Sequence, residues 1–258
     1  MGSVIERSHT GRVLTVGLSR PEQLNALNSE VLRELLEAIE HAQRDPAVGC
    51  VVIRGSGERA FSAGADLDEI RGLDVERAHD FIRGGHATMD AIAASGVPVI
   101  AEVDGFALGG GFELMLACHL VIASDRSQFG LPEARIGCIP GFGGTQRLPE
   151  SVGKPAAMHL MLTGERIDAA RAWQIGLLSV PPVTPEQLGE EVRRVAELIA
   201  SGSRTGLARL LDAARAGSGP RALAHEASLA AIAIASRDGQ EGITSFAERR
   251  APVFDREA

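Results

Sequence analysis

Aromatic residues are scarce in this chain of 258 residues. The sequence contains eight Phe, one Trp and no Tyr, which together make up 3% of it. A surface that stacks nucleic acid bases needs several aromatic faces, and so few residues cannot supply them. The formal net charge of −8 also excludes a global basic field that would attract a phosphate backbone. We therefore expect no nucleic acid partner.

Cysteines and long apolar runs are also few. Cys50, Cys118 and Cys138 are odd in number, widely spaced and set among apolar neighbours, so we predict buried thiols in a reducing compartment and neither a disulfide nor a zinc site. The longest apolar stretches, such as Leu114 to Ala123, have about half the length that a bilayer requires. Residues 1 to 10 contain no apolar segment of the signal-peptide type. We expect a cytoplasmic protein without a membrane span.

Motifs that identify several common enzyme classes are missing. The sequence has no G-x-x-x-x-G-K-[ST], no G-x-S-x-G and no H-E-x-x-H. Its glycine clusters also lack the spacing of a dinucleotide fingerprint. These absences disfavour P-loop chemistry, serine esterase chemistry and hydride transfer.

Apolar residues and glycine are plentiful, at 45% of the chain and 30 residues respectively. Short β-branched runs such as Val13–Leu18 and Cys50–Ile53 alternate with helical patterns up to about residue 150. Beyond that point the pattern is mostly helical, apart from a predicted strand at Leu177–Val180. We predict an α/β core with a helical C-terminal third.

Signals for the ends of two long helices are also present. Asn28 or Ser29 is placed to cap a helix that ends at Asp45, because the residue before a proline avoids the helical conformation. A second helical stretch, from residue 75 to 95, contains a weak point at Gly84-Gly85.

Three segments combine glycine with acidic residues. In Phe61–Leu67, small residues follow a predicted strand and Asp66 opens a helical stretch, either as an ordinary N-cap or beside a backbone N–H that a ligand oxygen can reach. In the second segment, three glycines precede Glu113 at the start of an apolar helix, where free N–H groups could stabilise an oxyanion. In the third, Glu133 follows Pro132 between apolar neighbours and could instead pair with Arg135 or Arg147.

Glu113 and Glu133 each lie near a glycine-rich helix start in apolar surroundings, which suggests paired acid–base catalysis. The glycine run from residue 140 to 144 is either a rigid loop or one wall of a pocket. His119 is interpreted as a structural histidine.

These motifs occur in the order found in one family. Asn25-Ala26-Leu27-Asn28, Phe61–Leu67, Gly109–Glu113, Gly130–Glu133 and the Gly143–Leu148 run strongly resemble the enoyl-CoA hydratase/isomerase (crotonase) family, from about residue 12 to Arg250. The resemblance implies a crotonase-like spiral of ββα turns in residues 1–195 and a helical trimerisation region in residues 196–258. It also implies a homotrimer or a dimer of trimers.

The resemblance further implies a hydro-lyase, an enoyl-CoA hydratase of fatty acid or related acyl-CoA metabolism. Glu113 and Glu133 would be its catalytic residues, and the N–H groups of Ala63 and Gly110 would form an oxyanion hole for the thioester carbonyl. The coenzyme A channel would be lined by residues after the second predicted strand and by two residues distant from them in sequence. These residues are Ala60, Ser62, Ala63, Gly64, Ala65, Asp66 and Leu67, together with Gly110 and Arg249. No cofactor or metal is expected, since coenzyme A enters with the substrate.

Two other kinds of function stay open. One is another reaction of the same family on acyl-CoA, namely double-bond isomerisation, dehydration of a specialised hydroxyacyl-CoA or thioester hydrolysis. The other is a non-catalytic scaffold that binds acyl-CoA or RNA, which the charge and the few aromatics disfavour.

Overall fold

Two β-sheets form the framework of the protein, whose computed structural model describes residues 3–254. The larger sheet has five strands, in the spatial order β1 (Ile5–Thr10), β2 (Val13–Leu18), β3 (Cys50–Gly55), β5 (Val99–Val103) and β7 (Leu120–Ala123). The smaller sheet has four, in the order β4 (Ala60–Ser62), β6 (Phe106–Leu108), β8 (Gln128–Gly130) and β9 (Ile167–Asp168). Strands β1 and β9 pair antiparallel with their neighbours, and the other pairs are parallel.

Helices make up most of the rest of the described chain. They are α1 (Ser29–Arg44), α2 (Leu67–Ile70), α3 (Val75–Ala93), α4 (Gly110–Ala117), α5 (Gly144–Val152), α6 (Lys154–Thr163), α7 (Ala169–Gln174), α8 (Pro185–Ala200), α9 (Arg204–Arg215), α10 (Pro220–Ala235) and α11 (Arg237–Glu248). Short 3-10 turns span Pro21–Gln23 and Pro132–Ile136. Within residues 3–254, no helix is both long and apolar enough to cross a membrane.

The chain advances as a spiral. Strands β3, β5 and β7 lie side by side in the larger sheet, and the strand that follows each of them joins the smaller sheet as β4, β6 and β8. Helical segments then follow: α2 and α3 after β4, α4 after β6, and a 3-10 turn after β8. The predicted spiral of ββα turns is thus confirmed. Because β4, β6 and β8 are parallel neighbours, the loops at their carboxyl ends meet at one place.

Alternate residues of the larger sheet face two apolar clusters, as the period of two in a strand requires. On β3, Val51 and Ile53 belong to the main core with α1, α3 and α4, whereas Cys50 and Val52 pack with the apolar face of α8. Helix α8 therefore covers the sheet. The predicted division between residues 195 and 196 falls inside this helix. It stays a prediction, and residues 1, 2 and 255–258 of the two regions lie outside the described residues.

The first long helix has the predicted ends. The Asn28 side chain accepts a hydrogen bond from the N–H of Val31, and Asp45 is the C-cap. The helix from residue 75 also forms, and it runs unbroken through Gly84-Gly85 to Ala93.

The predicted strand at Leu177–Val180 is absent from the described structure. The segment runs beside β7, where the N–H of Ser179 donates to the Val121 carbonyl at 2.8 Å. Because Pro181 and Pro182 have no N–H to donate, the pairing does not continue as a ladder.

The two glycines of α3 have opposite surroundings, which gives a matched test of the packing. At Gly85 a Cβ would lie 2.1 Å from the Phe142 ring, whereas at exposed Gly84 a Cβ would meet nothing within 4 Å. We expect Gly85→Ala to lower the free energy of unfolding by about 1–3 kcal/mol through overpacking. Gly84→Ala should raise it by about 0.5–1 kcal/mol through helix propensity. Urea unfolding of the two variants measures both changes, and equal effects would contradict the observed contact of Gly85 with Phe142.

Candidate active site

A cavity of about 450 Å³ lies where the loops after β4, β6 and β8 meet. Glu113 and Glu133 both line it, together with Gly109, Gly110 and the segment from residue 63 to 65. The remaining walls are mainly apolar and come from α3, its preceding loop and the loop after Glu133; they include Leu73, Ala78, Phe81, Ile82, Ile136, Ile139 and Phe142. The cavity thus combines two carboxyl groups with a mainly apolar surface.

Glu113 is held in the first turn of α4 and is 2% exposed. Its Oε1 accepts hydrogen bonds from the N–H groups of Phe142 and Gly144, each at 2.7 Å. Burial raises the pKa of Glu113, although these N–H donors and the nearby Arg147 act in the opposite direction. Two amide donors on one oxygen fix the position of the carboxyl group and favour its ionised form.

The glycine-rich loop before α5 is a wall of the cavity and the support of Glu113. Gly141 and Phe142 line the cavity, and a Cβ at Gly144 would lie 3.0 Å from Glu113 Oε1. Arg147 secures this loop, since its Nη1 donates to the Phe142 carbonyl at 3.0 Å and its Nη2 to Asp90 Oδ1 at 2.6 Å. The glycine run from residue 140 to 144 was recognisable in the sequence, but its contact with Glu113 could not be predicted from it.

Glu133 lies in the 3-10 turn after β8, on the same cavity. Burial and the nearby Glu113 raise the pKa of Glu133 to about 7, against the lowering effect of a backbone hydrogen bond. Its Oε2 is buried and has no hydrogen-bond partner among residues 3–254. A carboxyl group in this setting is available to exchange a proton with a bound molecule.

The structural alternative for Glu133 is wrong. Arg135 donates to the Thr163 carbonyl at 2.9 Å, and Arg147 pairs with Asp90 as described above. Neither arginine forms an ion pair with Glu133 within the part of the chain that the structure describes.

Two backbone N–H groups lie close together near the carboxyl groups. One belongs to Gly110, as predicted, and the other belongs to a different residue from the one predicted. Gly110 is the first residue of α4, so its N–H has no partner within the helix. The N–H of Ala63, the expected second donor, is engaged with the Leu24 carbonyl at 2.9 Å, so this prediction is wrong. The N–H of Ala65 instead donates to no residue of the described chain, and it lies 3.3 Å from where a Cβ on Gly110 would be.

Gly64 and Gly109 make this approach possible. Gly64 has a φ of +107°, and a Cβ there would lie 2.9 Å from the Leu108 carbonyl oxygen and 3.1 Å from the N of Gly110. Gly109 caps α4 with a φ of +50°, and a Cβ there would lie 2.9 Å from Glu133 Oε1. Side chains at either position would separate the donors from each other or from the carboxyl group.

The segment expected to line the coenzyme A channel is divided. Ala63, Gly64, Ala65 and Leu67 line the cavity, as does Gly110.

The other three residues of that segment do not line the cavity. Ala60 and Ser62 are buried in β4. Asp66 is the N-cap of α2 and pairs with Arg20 at 2.8 Å. The side chains of these three residues are engaged within the fold, and their place in the coenzyme A channel stays a prediction.

Other predicted residues lie away from the cavity. Arg249 follows α11 and does not line it. The Nδ1 of His119 accepts from the N–H of Val99 at 2.9 Å, and burial, with Arg215 nearby, lowers the pKa of His119 to about 4. Cys50 is buried and Cys118 half-buried, but Cys138, also expected to be buried, is exposed and lines the cavity.

No group of three or more His, Cys, Asp or Glu side chains in residues 3–254 is arranged to hold a metal ion.

Comparisons with known proteins show the family of this chain. A family model described as enoyl-CoA hydratase/isomerase matches residues 8–257. A crotonyl-CoA hydratase from Syntrophomonas wolfei is 40% identical, over 97% of this chain and 96% of its own length. A probable enoyl-CoA hydratase from Rhizobium meliloti is 42% identical, over 95% of each.

A solved structure gives the same result for the fold. The crystal structure of an enoyl-CoA hydratase from Bacillus anthracis matches with a TM-score of 0.94 and 34% identity, over 98% of this chain and 100% of that chain. The chain belongs to the enoyl-CoA hydratase/isomerase family.

Proposed function

We propose that the protein is an enoyl-CoA hydratase, a hydro-lyase that reversibly adds water across the 2,3 double bond of an enoyl-CoA thioester in fatty acid or related acyl-CoA metabolism. One observation carries the proposal: Glu113 and Glu133 line the same cavity beside the uncommitted N–H groups of Ala65 and Gly110. The names of the relatives described above support the same activity.

The two N–H groups polarise the substrate. The α,β double bond of an enoyl thioester reacts with water when negative charge can move onto the carbonyl oxygen. Donors from Ala65 and Gly110 would bind that oxygen, and the N-terminus of α4 adds the positive end of its dipole. Removal of one such donor costs about 10²–10³ in rate in other enzymes. Ala65 thus takes the role that the family resemblance implied for Ala63.

The two carboxyl groups move the protons. Glu113, with two amide donors on Oε1, is the base that takes a proton from water as the water oxygen bonds to the β-carbon. Glu133, whose pKa is raised to about 7, supplies a proton to the α-carbon. One proton leaves water and one reaches the substrate, so the substrate and product balance, and the reverse steps dehydrate the product. Glu113 then releases its proton and Glu133 takes one up by exchange with solvent, which restores both carboxyl groups for the next turnover.

The quaternary structure is part of the proposal. Apolar side chains are exposed on the three C-terminal helices; they are Leu210, Leu223, Ile232, Ile234, Ile243 and Phe246. Exposed apolar groups of this extent are typical of an interface. A homotrimer or a dimer of trimers would cover them, and Arg249 would then reach coenzyme A from a neighbouring subunit.

The three cysteines support a cytoplasmic location. None of them is in a disulfide, and exposed Cys138 would need a reducing compartment to stay a free thiol.

Substitution of either glutamate tests the reaction. We expect Glu113→Gln and Glu133→Gln each to lower kcat for hydration of crotonyl-CoA by about 10²–10⁴, since each removes one proton transfer. The loss of enoyl absorbance measures the rate. A one-base isomerase would keep its activity in one of the two variants. Assay of the same variants on a 3-enoyl-CoA substrate measures that isomerase activity.

Glu102→Gln is the matched control. Glu102 lies on β5, burial raises its pKa, and it does not line the cavity. This variant should hydrate at the wild-type rate. No turnover by the wild-type protein on short, medium or branched enoyl thioesters would contradict the proposal.

The raised pKa of Glu133 also predicts a dependence of stability on pH. Between the ordinary carboxyl pKa of 4.5 and the folded value of about 7, the native state binds more protons than the unfolded state. The wild-type protein should therefore lose stability as the pH rises through this window. Glu133→Gln removes that loss, so its stability relative to wild type should increase from pH 4.5 to 7 and then stay constant.

Urea unfolding at fixed protein concentration measures both proteins across the window. Exposed Glu197 on α8 provides the control, and Glu197→Gln should follow the wild-type profile. Parallel profiles for Glu133→Gln and wild type would show that Glu133 has an ordinary pKa in the folded chain.

A further inference from the structure

A second cavity lies next to the active-site cavity. It has a volume of about 470 Å³ and is formed between α1 and α3. Leu32 and Leu36 of α1 and Ala87 of α3 contribute apolar surface, and exposed Arg33 and Arg77 also line it. Nothing in the proposed hydration reaction uses this space.

Two side chains, Leu73 and Phe81, line both cavities. They form the wall between the two spaces, because the other residues of each lining face only one of them. Phe81 is 7% exposed. Leu73 is half-buried and packs against the main core from the loop before α3.

The wall packs against the glycine-rich loop before α5, which supports Glu113. The Phe81 ring packs against the Phe142 ring, with centroids 5.5 Å apart and an interplanar angle of 52°. Phe142 is the residue whose N–H donates to Glu113. The tight contact of Phe142 with Gly85 fixes the same ring from α3. A shift of Phe81 would therefore disturb the ring next to the support of Glu113, which favours one position of the wall.

With the thioester oxygen on Ala65 and Gly110, the apolar walls of the active-site cavity offer the acyl group its binding surface. Each buried methylene strengthens binding by about fourfold, as long as there is space for it. A chain that reaches a packed aromatic ring gains nothing from further methylenes, because they meet the ring or remain in water. The position of the wall thus limits the acyl length.

We propose that Leu73 and Phe81 determine specificity by ending the acyl pocket, and that the cavity between α1 and α3 is its closed-off extension. This inference rests on the proposed function. It assigns short-chain enoyl-CoA thioesters as the preferred substrates. Removal of the Phe81 ring joins the two cavities into one channel with apolar surface, which accepts longer chains.

The test is the ratio of kcat/KM for a 12-carbon to a 4-carbon trans-2-enoyl-CoA. Wild-type protein should prefer the 4-carbon substrate, and Phe81→Ala should raise the ratio by about tenfold or more, as two or more methylenes become buried. Adding Ala87→Phe, which refills only the second cavity, should return the ratio toward the wild-type value. If Phe81→Ala does not fold, Leu73→Ala can replace it, because it removes the other half of the wall and should also raise the ratio.

Ile92→Ala is the control for a general loosening of α3. Ile92 is buried on the same helix and lines neither cavity, so this variant should keep the wild-type ratio. Any of three results would overturn the inference: an unchanged ratio in the folded wall variants, equal wild-type activity on both substrates, or no reversal by Ala87→Phe. In each case turnover of the 4-carbon substrate would still support the proposed function. Absence of turnover at every chain length would overturn both.

Discussion

The parallel pairing of three very short strands is the constraint on which the site depends. Strands β4, β6 and β8 have three residues each, yet their order in the smaller sheet places three loops at one edge. The first loop brings the N–H of Ala65, the second brings Gly110 and Glu113, and the third brings Glu133. A slip of one residue in any of these pairs would turn a carboxyl group or a donor away from the cavity.

The larger sheet carries the stability that such short strands cannot provide. Its strands are packed on both faces, by α1, α3 and α4 on one side and by α8 on the other. Burial of two carboxyl groups opposes this stability, since burial disfavours their ionised forms. Amide donors offset part of this cost at Glu113, whose pKa is nevertheless raised. Glu133 Oε2 has no hydrogen-bond partner in the described chain, and the pKa of Glu133 is raised to about 7.

The parts of the fold with strong local signals could be predicted from the sequence. The apolar stripe and caps of α1 and the β-branched run of β3 are examples. The strands of the smaller sheet are too short for any periodicity, and β1 is exposed at five of its six residues, so its sequence has no apolar pattern. These elements form because of tertiary pairing, which a local pattern does not contain.

In the site, the two acidic side chains could be predicted from the sequence, whereas one of the two backbone donors could not. The positions of Glu113 and Glu133 followed from motifs, because acidic residues in apolar, glycine-rich surroundings are unusual. Which N–H is uncommitted depends on partners distant in sequence: Leu24 engages Ala63 and leaves Ala65. The wall at Leu73 and Phe81 likewise exists only because α3 packs between two cavities.

A crystal structure with a bound saturated acyl-CoA, which resembles the substrate but cannot be hydrated, would show directly which N–H groups bind the thioester oxygen. We expect the thioester oxygen to lie within about 3.2 Å of both Ala65 N and Gly110 N, as hydrogen bonds require. The α- and β-carbons should then lie between Glu113 and Glu133. A thioester oxygen bound to Ala63, or one remote from both glutamates, would contradict this expectation.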